Sequence, residues 1–159
     1  MAGAGAGGLL RAGQEGTRVS RVYWDSMVFV YWLENHPSYA PRVEHIFQSM
    51  LARGDAFCAS YLSIGEVLAR PLKEKQTQLA ARIEQFFDSG LVEMLPFDRK
   101  AASEFARLRA TIKVTPADAI HLACAGTAGV DLFLTHDLGL HKLQVPGIQF
   151  IAGLDVNVF

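Results

Sequence analysis

The chain has 159 residues, half of them hydrophobic, and a formal net charge of −1 at pH 7. This length is typical of one domain, and the apolar content is too high for a disordered chain. The nearly neutral charge argues against general binding to polyanions, so any contact with nucleic acid must be local. No apolar run approaches the roughly 20 residues that a membrane span needs, so we expect no membrane association.

Residues 1–20 differ in composition from the rest of the chain. Met1 to Gly8 consists almost entirely of Gly and Ala. The segment lacks the basic and apolar regions of a secretory signal. We therefore expect a flexible tail over residues 1–20 and a single domain over residues 21–159.

Two cysteines, Cys58 and Cys124, both lie in apolar segments. No nearby Cys or His has the spacing of a metal site. We expect both to be buried free thiols in a reducing compartment, which indicates a cytoplasmic protein.

Strand-like and helix-like segments alternate along the chain. The predicted strands are 22–24, 56–60, 91–95, 131–135 and 148–151, and the predicted helices are 26–34, 42–53, 63–70, 73–88, 99–112 and 116–128. Alternation at this spacing predicts an α/β fold with a mainly parallel sheet of about five strands, covered by helices on both faces.

Four acids, Asp25, Glu66, Asp118 and Asp137, lie near the corners between predicted strands and helices. Because the carboxyl ends of parallel strands line one crevice, acids that are distant in sequence can meet there. Clustered carboxylates repel each other unless cations lie between them. The pattern predicts a site for a hard divalent metal ion and, with it, phosphate chemistry.

Each acid also has a local structural explanation. Thr115 to Asp118 and Ser63 to Glu66 both match a helix capping box, and Asp137 could be a turn residue. Asp98 is interpreted only as a helix cap. These explanations do not account for an acid at nearly every corner.

Several segments resemble the PIN domain and, more narrowly, toxin nucleases of the VapC type. They are Val22-Tyr23-Trp24-Asp25-Ser26, Thr115-Pro116-Ala117-Asp118-Ala119-Ile120-His121-Leu122-Ala123 and Phe133-Leu134-Thr135-His136-Asp137, together with the helix start that leads to Glu66. The resemblance covers about residues 21–152. It implies a three-layer α/β/α fold and a metal-dependent ribonuclease. The acids Asp25, Glu66, Asp118 and Asp137 would then hold Mg²⁺ or Mn²⁺, with Ser26 and Thr135 beside two of them.

Two positions depart from the pattern of this family. Met27 and His136 stand where family members often have Asn. Both positions bear on the hydrogen bonding around the acids, where we expect His136 to support them. An alternative function is therefore a PIN-like module that binds RNA or protein and has lost efficient catalysis.

The resemblance also implies partners. It predicts an RNA substrate such as tRNA or ribosomal RNA, a cognate antitoxin that blocks the acidic pocket, and a homodimer.

Basic residues on one predicted helix and at its end are either RNA contacts or a solvated face: Arg99, Lys100, Arg107, Arg109 and Lys113. An aromatic group is either an exposed interaction surface or core: Phe29, Tyr31, Trp32, Phe86 and Phe87. His121, three residues after Asp118, is expected in the core or beside the acids.

Overall fold

The structure is a computed structural model, and it describes residues 20–159. The predicted tail, apart from Ser20, lies outside the described residues. The strands are β1 (Arg21–Trp24), β2 (Ala56–Ser60), β3 (Val92–Leu95), β4 (Val130–Leu134) and β5 (Ile148–Ala152). The helices are α1 (Ser26–Leu33), α2 (Ala40–Arg53), α3 (Tyr61–Lys73), α4 (Thr77–Asp88), α5 (Arg99–Thr111) and α6 (Pro116–Ala128), and a 3₁₀ turn follows β4 at Leu138–Leu140. Within residues 20–159, no helix is both long enough and apolar enough to cross a membrane.

All five strands are parallel, in the order β3-β2-β1-β4-β5. Strand β1 is central, and Val22 pairs with Phe57 on one side and with Leu132 on the other. The chain builds the sheet outward from β1 to β3, then crosses to the opposite side of β1 to form β4. The order of strands therefore reverses between β1 and β4, where α/β sheets usually bind ligands at the carboxyl ends of their strands.

Helices cover both faces of the sheet, which confirms the predicted three-layer α/β/α fold. Val22 and Trp24 face a core that includes buried side chains of α1 to α4. Tyr23, between them in sequence, faces the second core, which is built with α5 and α6. Alternate residues of a strand point to opposite faces, so the short apolar strand β1 is buried on both sides.

The aromatic residues predicted either as an exposed surface or as core lie mainly in the first core. Phe29 is fully buried and Phe87 is 6% exposed. Trp32 and Phe86 are partly buried and pack against the same core. The core interpretation is therefore correct for these four residues. Tyr31 packs against the same core and also lines a pocket.

The ends of helix α3 differ from the prediction. The helix begins at Tyr61, and a reciprocal capping box joins Ser60 to Ser63, with the Ser60 amide 3.3 Å from Ser63 Oγ. The predicted box from Ser63 to Glu66 is therefore wrong, and Glu66 lies in the second turn. Pro71 does not end the helix. Its side chain is buried, and the helix continues only to Lys73 beyond it.

The predicted start of helix α4 is also wrong, because Glu74 to Gln76 separate it from α3. Lys75 has a positive φ of 58°, which a continuous helix does not allow. The two helices therefore pack as neighbours instead of forming one long helix.

Cys58 and Cys124 are buried free thiols, as predicted. Burial raises the pKa of Cys58 to about 12 and that of Cys124 to about 11. The thiolate is the reactive form, so we expect neither residue to react with Ellman's reagent at pH 8 in the folded protein. Both should react once guanidinium unfolds the chain. Rapid reaction of either thiol under native conditions would contradict this burial.

A buried hydrogen bond joins β1 to α6, because the Tyr23 hydroxyl lies 2.6 Å from Nδ1 of His121. Tyr23→Phe removes one partner and should lower the free energy of unfolding by about 1–3 kcal/mol, measured by urea denaturation. Tyr61→Phe is the matched control, since Tyr61 is 63% exposed and its substitution should cost less than about 0.5 kcal/mol. Equal effects of the two substitutions would show that the buried bond contributes nothing.

Candidate active site

A pocket of about 380 Å³ opens at the carboxyl ends of β1 and β4. It contains every residue that the sequence predicted for the site, together with four others. Its lining comprises Asp25, Ser26, Met27, Val30, Tyr31, Glu66, Asp118, His121, Thr135, His136 and Asp137. The fold thus brings together acids separated by up to 112 residues in sequence, at the position where the strand order reverses.

Asp25 lies at the junction of β1 and α1. Its backbone amide donates to the carbonyl of Leu134 at 2.9 Å, which continues the pairing of β1 with β4. Its side chain caps α1, because Oδ1 accepts from the amide of Ser26 at 2.8 Å. Oδ2 accepts from the hydroxyl of Thr135 at 2.7 Å. Both carboxylate oxygens are therefore held in place by short hydrogen bonds.

The buried hydroxyl of Thr135 links two of the acids. It donates to Asp25 and accepts from the backbone amide of Asp137 at 3.1 Å. Asp137 Oδ1 in turn accepts from the amide of Gly139 at 2.9 Å. Asp137 is thus a turn residue and also lines the pocket.

Asp118 lies in the first turn of α6, and Thr115 caps that helix by accepting from the Asp118 amide at 3.1 Å. The predicted cap is therefore present. Burial raises the pKa of the Asp118 carboxyl, and the negative charges of Asp25 and Asp137 raise it further, against the opposing effects of Thr115 and His121. The three aspartates repel one another across the pocket.

Glu66 reaches the pocket from α3 and is held by two donors. Oε1 accepts a short hydrogen bond from Ser26 Oγ and lies 2.7 Å from Nε2 of His121. The hydrogen bond from His121 lowers the pKa of Glu66, and the bond from Ser26 acts in the same direction against partial burial. One oxygen of an ionised Glu66 is therefore engaged with these two donors.

His121 connects this glutamate to the core below the sheet. A carboxylate can only accept hydrogen bonds, so Nε2 carries the hydrogen directed at Glu66. In the neutral ring, Nδ1 then accepts from the hydroxyl of Tyr23. His121 is 1% exposed, so it lies both in the core and beside the acids. Its spacing of three from Asp118 indicated the shared helix face, whereas no local signal in the sequence singled out Tyr23.

His136, which the sequence predicted beside the acids, lies in the pocket. In the part of the chain that the structure describes, no hydrogen bond joins it to them, and its buried Nδ1 has no partner. Its ring packs edge-on against Tyr31 and Tyr39, at centroid distances of 5.4 and 4.6 Å. Ring packing thus directs the side chain toward these tyrosines.

The acids suit a hard divalent cation in their chemistry. Asp25, Asp118 and Asp137 supply the oxygen ligands that Mg²⁺ and Mn²⁺ prefer, and a cation would offset the repulsion that acts on Asp118. Among residues 20–159, however, no three His, Cys, Asp or Glu side chains lie close enough together to hold one ion. Ligation would require these side chains to rotate toward one another.

The basic residues that the sequence singled out do not line this pocket. Arg99, Lys100 and Arg107 line a separate surface pocket with Thr127, at the opposite end of α6 from Asp118. Arg107 also pairs with Glu104 at 3.1 Å. Their placement favours the solvated-face interpretation for these three.

A sequence model of the PIN domain matches residues 22–145, which is most of the chain. No curated protein matches the chain. Three similar solved structures support the same fold at low identity. VapBC2 from Rickettsia felis, bound to a DNA fragment from its promoter, has 14% identity and a TM-score of 0.68, with 84% of this chain and 98% of that chain covered.

A toxin-antitoxin complex from Klebsiella pneumoniae has 16% identity and a TM-score of 0.63, with 87% of this chain and 98% of that chain covered. Mycobacterium tuberculosis VapC20, described as a toxin that cleaves the sarcin-ricin loop, has 10% identity and a TM-score of 0.60, with 70% and 86% covered. The sheet order, the acids at its central reversal and the match over residues 22–145 agree: this chain belongs to the PIN domain family.

Proposed function

We propose that this chain is a metal-dependent endoribonuclease and the toxin of a toxin-antitoxin pair. The observation that carries the proposal is the convergence of Asp25, Asp118 and Asp137 on one pocket at the reversal of the sheet. Membership of the PIN family and the likeness to VapC20, a toxin that cleaves the sarcin-ricin loop, support the reaction class.

Asp25 and Asp118 are the proposed ligands of the principal Mg²⁺ or Mn²⁺, with Asp137 at or near it. An ion bound there would neutralise charge on the phosphoryl oxygens and make a water more acidic. Thr135 fixes Asp25 in orientation through its hydrogen bond to Oδ2. Such support of ligand carboxylates commonly determines how well a site holds its metal.

Glu66 is the proposed group that orients the attacking water. Its Oε1 is engaged with Ser26 and His121, which leaves Oε2 to accept a hydrogen bond from a water in the pocket. The lowered pKa of Glu66 favours the ionised side chain, in which both carboxylate oxygens are acceptors. This arrangement supports a water-orienting role over a role as ligand of a second ion.

The partners proposed are an RNA such as tRNA or ribosomal RNA, a cognate antitoxin, and a second copy of the chain in a homodimer. Two of the similar solved structures are toxin-antitoxin assemblies, which supports the antitoxin. The buried free thiols support a reducing compartment, and so the cytoplasm.

A PIN-like binding module without efficient catalysis is the second candidate. Within residues 20–159 no three possible ligands are grouped to hold one ion, and no hydrogen bond joins His136 to the acids; both observations favour this candidate. Met27, also at a position that is often Asn in the family, is 46% exposed in the pocket. Binding of RNA without metal-dependent cleavage is the behaviour expected of such a module.

Asp118→Asn and Asp25→Asn should each lower the rate of RNA cleavage at least about 100-fold, because each removes a proposed metal ligand. The assay is incubation of the purified chain with total tRNA and rRNA in Mg²⁺ or Mn²⁺, and then with EDTA. Asp98→Asn is the matched control: Asp98 caps α5 outside the pocket, and Asn caps a helix equally well. Discrete fragments that need metal, persist in the control and vanish in the site variants are expected. Equal cleavage by all variants would contradict the assignment.

Asp118 should also change the pH dependence of stability in metal-free buffer. The folded-state pKa of Asp118 lies above its usual 3.8, so its charged form opposes folding. The stability of wild type relative to Asp118→Asn is greatest below pH 3.8. It falls as the pH rises through the folded-state pKa of Asp118. The melting temperature of Asp118→Asn minus that of wild type should therefore increase from pH 4 to pH 7.

Saturating Mn²⁺ at pH 7 should reverse that difference. An ion at 100 times its Kd stabilises the folded wild type by about 2.7 kcal/mol, whereas the variant lacks a ligand. Melting curves with and without Mn²⁺ measure both effects. A difference that is independent of pH and Mn²⁺ would remove Asp118 from the proposed metal site.

A further inference from the structure

Four rings form a contiguous cluster at one side of the acidic pocket. Tyr31, His36, Tyr39 and His136 make up this aromatic wall, defined by their mutual contacts. Tyr31 lies 4.7 Å from Tyr39 and 5.1 Å from His36, measured between ring centroids. His36 stacks on Tyr39 at 4.7 Å, and His136 contacts both tyrosines.

The aromatic wall packs against the first core through Tyr31 and Tyr39, but it is less buried than that core. All four of its residues are partly exposed, unlike the fully buried Trp24 and Phe29. His36 is fixed in orientation, because its Nδ1 accepts from the backbone amides of Ser38 and Tyr39 at 3.1 and 3.2 Å. The rings therefore form an ordered surface that solvent can reach.

Tyr31 and His136 carry this surface into the pocket itself. His136 lies directly between Thr135 and Asp137, about 3.8 Å along the backbone from each Cα. Met27 and Val30 also line the pocket with apolar atoms. The lining of the pocket thus combines acidic residues with aromatic and apolar ones.

We propose that the aromatic wall is a stacking subsite for one unpaired RNA base next to the phosphodiester that is cleaved. The inference rests on the proposed nuclease function. A nucleotide has a group for each kind of lining residue. Its phosphate would meet the metal ion held by the acids, and its flat base would stack on the aromatic side chains. The exposed π-face of an unpaired base is available for stacking, whereas a base inside a duplex stacks on its neighbours.

A cationic side chain of a partner protein is the competing occupant, since a guanidinium also stacks on tyrosine. The breadth of the surface favours the base. The four rings are contiguous, and Met27 and Val30 also line the pocket, so the apolar area is larger than one guanidinium covers. Stacking of this kind tolerates any base, so the subsite selects unpaired structure rather than sequence.

Tyr31→Leu and Tyr31→Phe form the matched pair that tests this subsite. Leu keeps an apolar side chain but removes the ring. Phe keeps the ring and removes a hydroxyl that makes no hydrogen bond within residues 20–159. Melting temperatures of the two variants establish that both are folded. The ring-dependent effect is the difference between Leu and Phe, so a general loss of stability does not imitate it.

Two measurements use this pair. The first is kcat/KM on an oligonucleotide that spans a mapped cleavage site, intact or with an abasic residue beside the cleaved bond. Stacking predicts that Tyr31→Leu loses roughly 5- to 100-fold on the intact RNA, that Tyr31→Phe matches wild type, and that the abasic RNA removes the difference between them. The second is the fluorescence of 2-aminopurine in a 12-nucleotide oligo(A), which should be quenched on binding to Asp118→Asn but not to Asp118→Asn with Tyr31→Leu.

The outcomes separate this inference from the nuclease itself. Cleavage by wild type with Leu and Phe equal on both RNAs would overturn the subsite and leave the nuclease intact. Quenching that needs the Tyr31 ring, in a protein that cleaves no RNA, would support the subsite and overturn the nuclease. Inhibition by arginine amide that Tyr31→Leu relieves, without any quenching of 2-aminopurine, would assign the aromatic wall to a cationic side chain and overturn the proposal.

Discussion

The buried chain of hydrogen bonds from Tyr23 through His121 to Glu66 holds the pocket together. It links the central strand to α6 and α3, and Ser26 joins α1 to the same carboxylate oxygen. Buried polar groups are costly unless they are satisfied, so each member restricts the positions of the others. Ser26 Oγ and Ser60 Oγ also lie 3.3 and 3.5 Å from the two ring nitrogens of His121, so the ring is surrounded by polar groups from three further elements. The orientation of Glu66 is therefore a consequence of core packing, although the side chain itself lies at the surface of the pocket.

Glu66 is stabilised by its hydrogen bonds, whereas the three aspartates are destabilised by their shared negative charge. Asp25, Asp118 and Asp137 face one pocket, and their mutual repulsion contributes to the raised pKa of Asp118. Packing on both faces of the sheet offsets this electrostatic cost, because the strands that position the acids are buried on both sides. Local destabilisation supported by a well-packed framework is a common property of functional sites.

Much of the architecture could be predicted from the sequence. Short apolar strands alternate with helices, and that pattern fixes the order of the elements and the α/β class. Pro71 shows the limit, because a residue that usually ends a helix is accommodated in the last turn of α3. The support of Glu66 could not be predicted either. His121 is 55 residues from Glu66 and 98 from Tyr23 in sequence, and only the folded chain brings them together.

The sequence leaves open whether these acids cap helices or line a functional pocket. In this fold the same acid can do both. Asp25 caps α1, Asp118 lies in the capped first turn of α6, and Asp137 caps the 3₁₀ turn after β4. The amino-terminal end of a helix carries partial positive charge, which stabilises a nearby carboxylate. The same positions that favour an acid locally therefore reduce the cost of gathering several acids in one pocket. A parallel sheet places helix starts beside the carboxyl ends of its strands, so capping and clustering follow from one geometry.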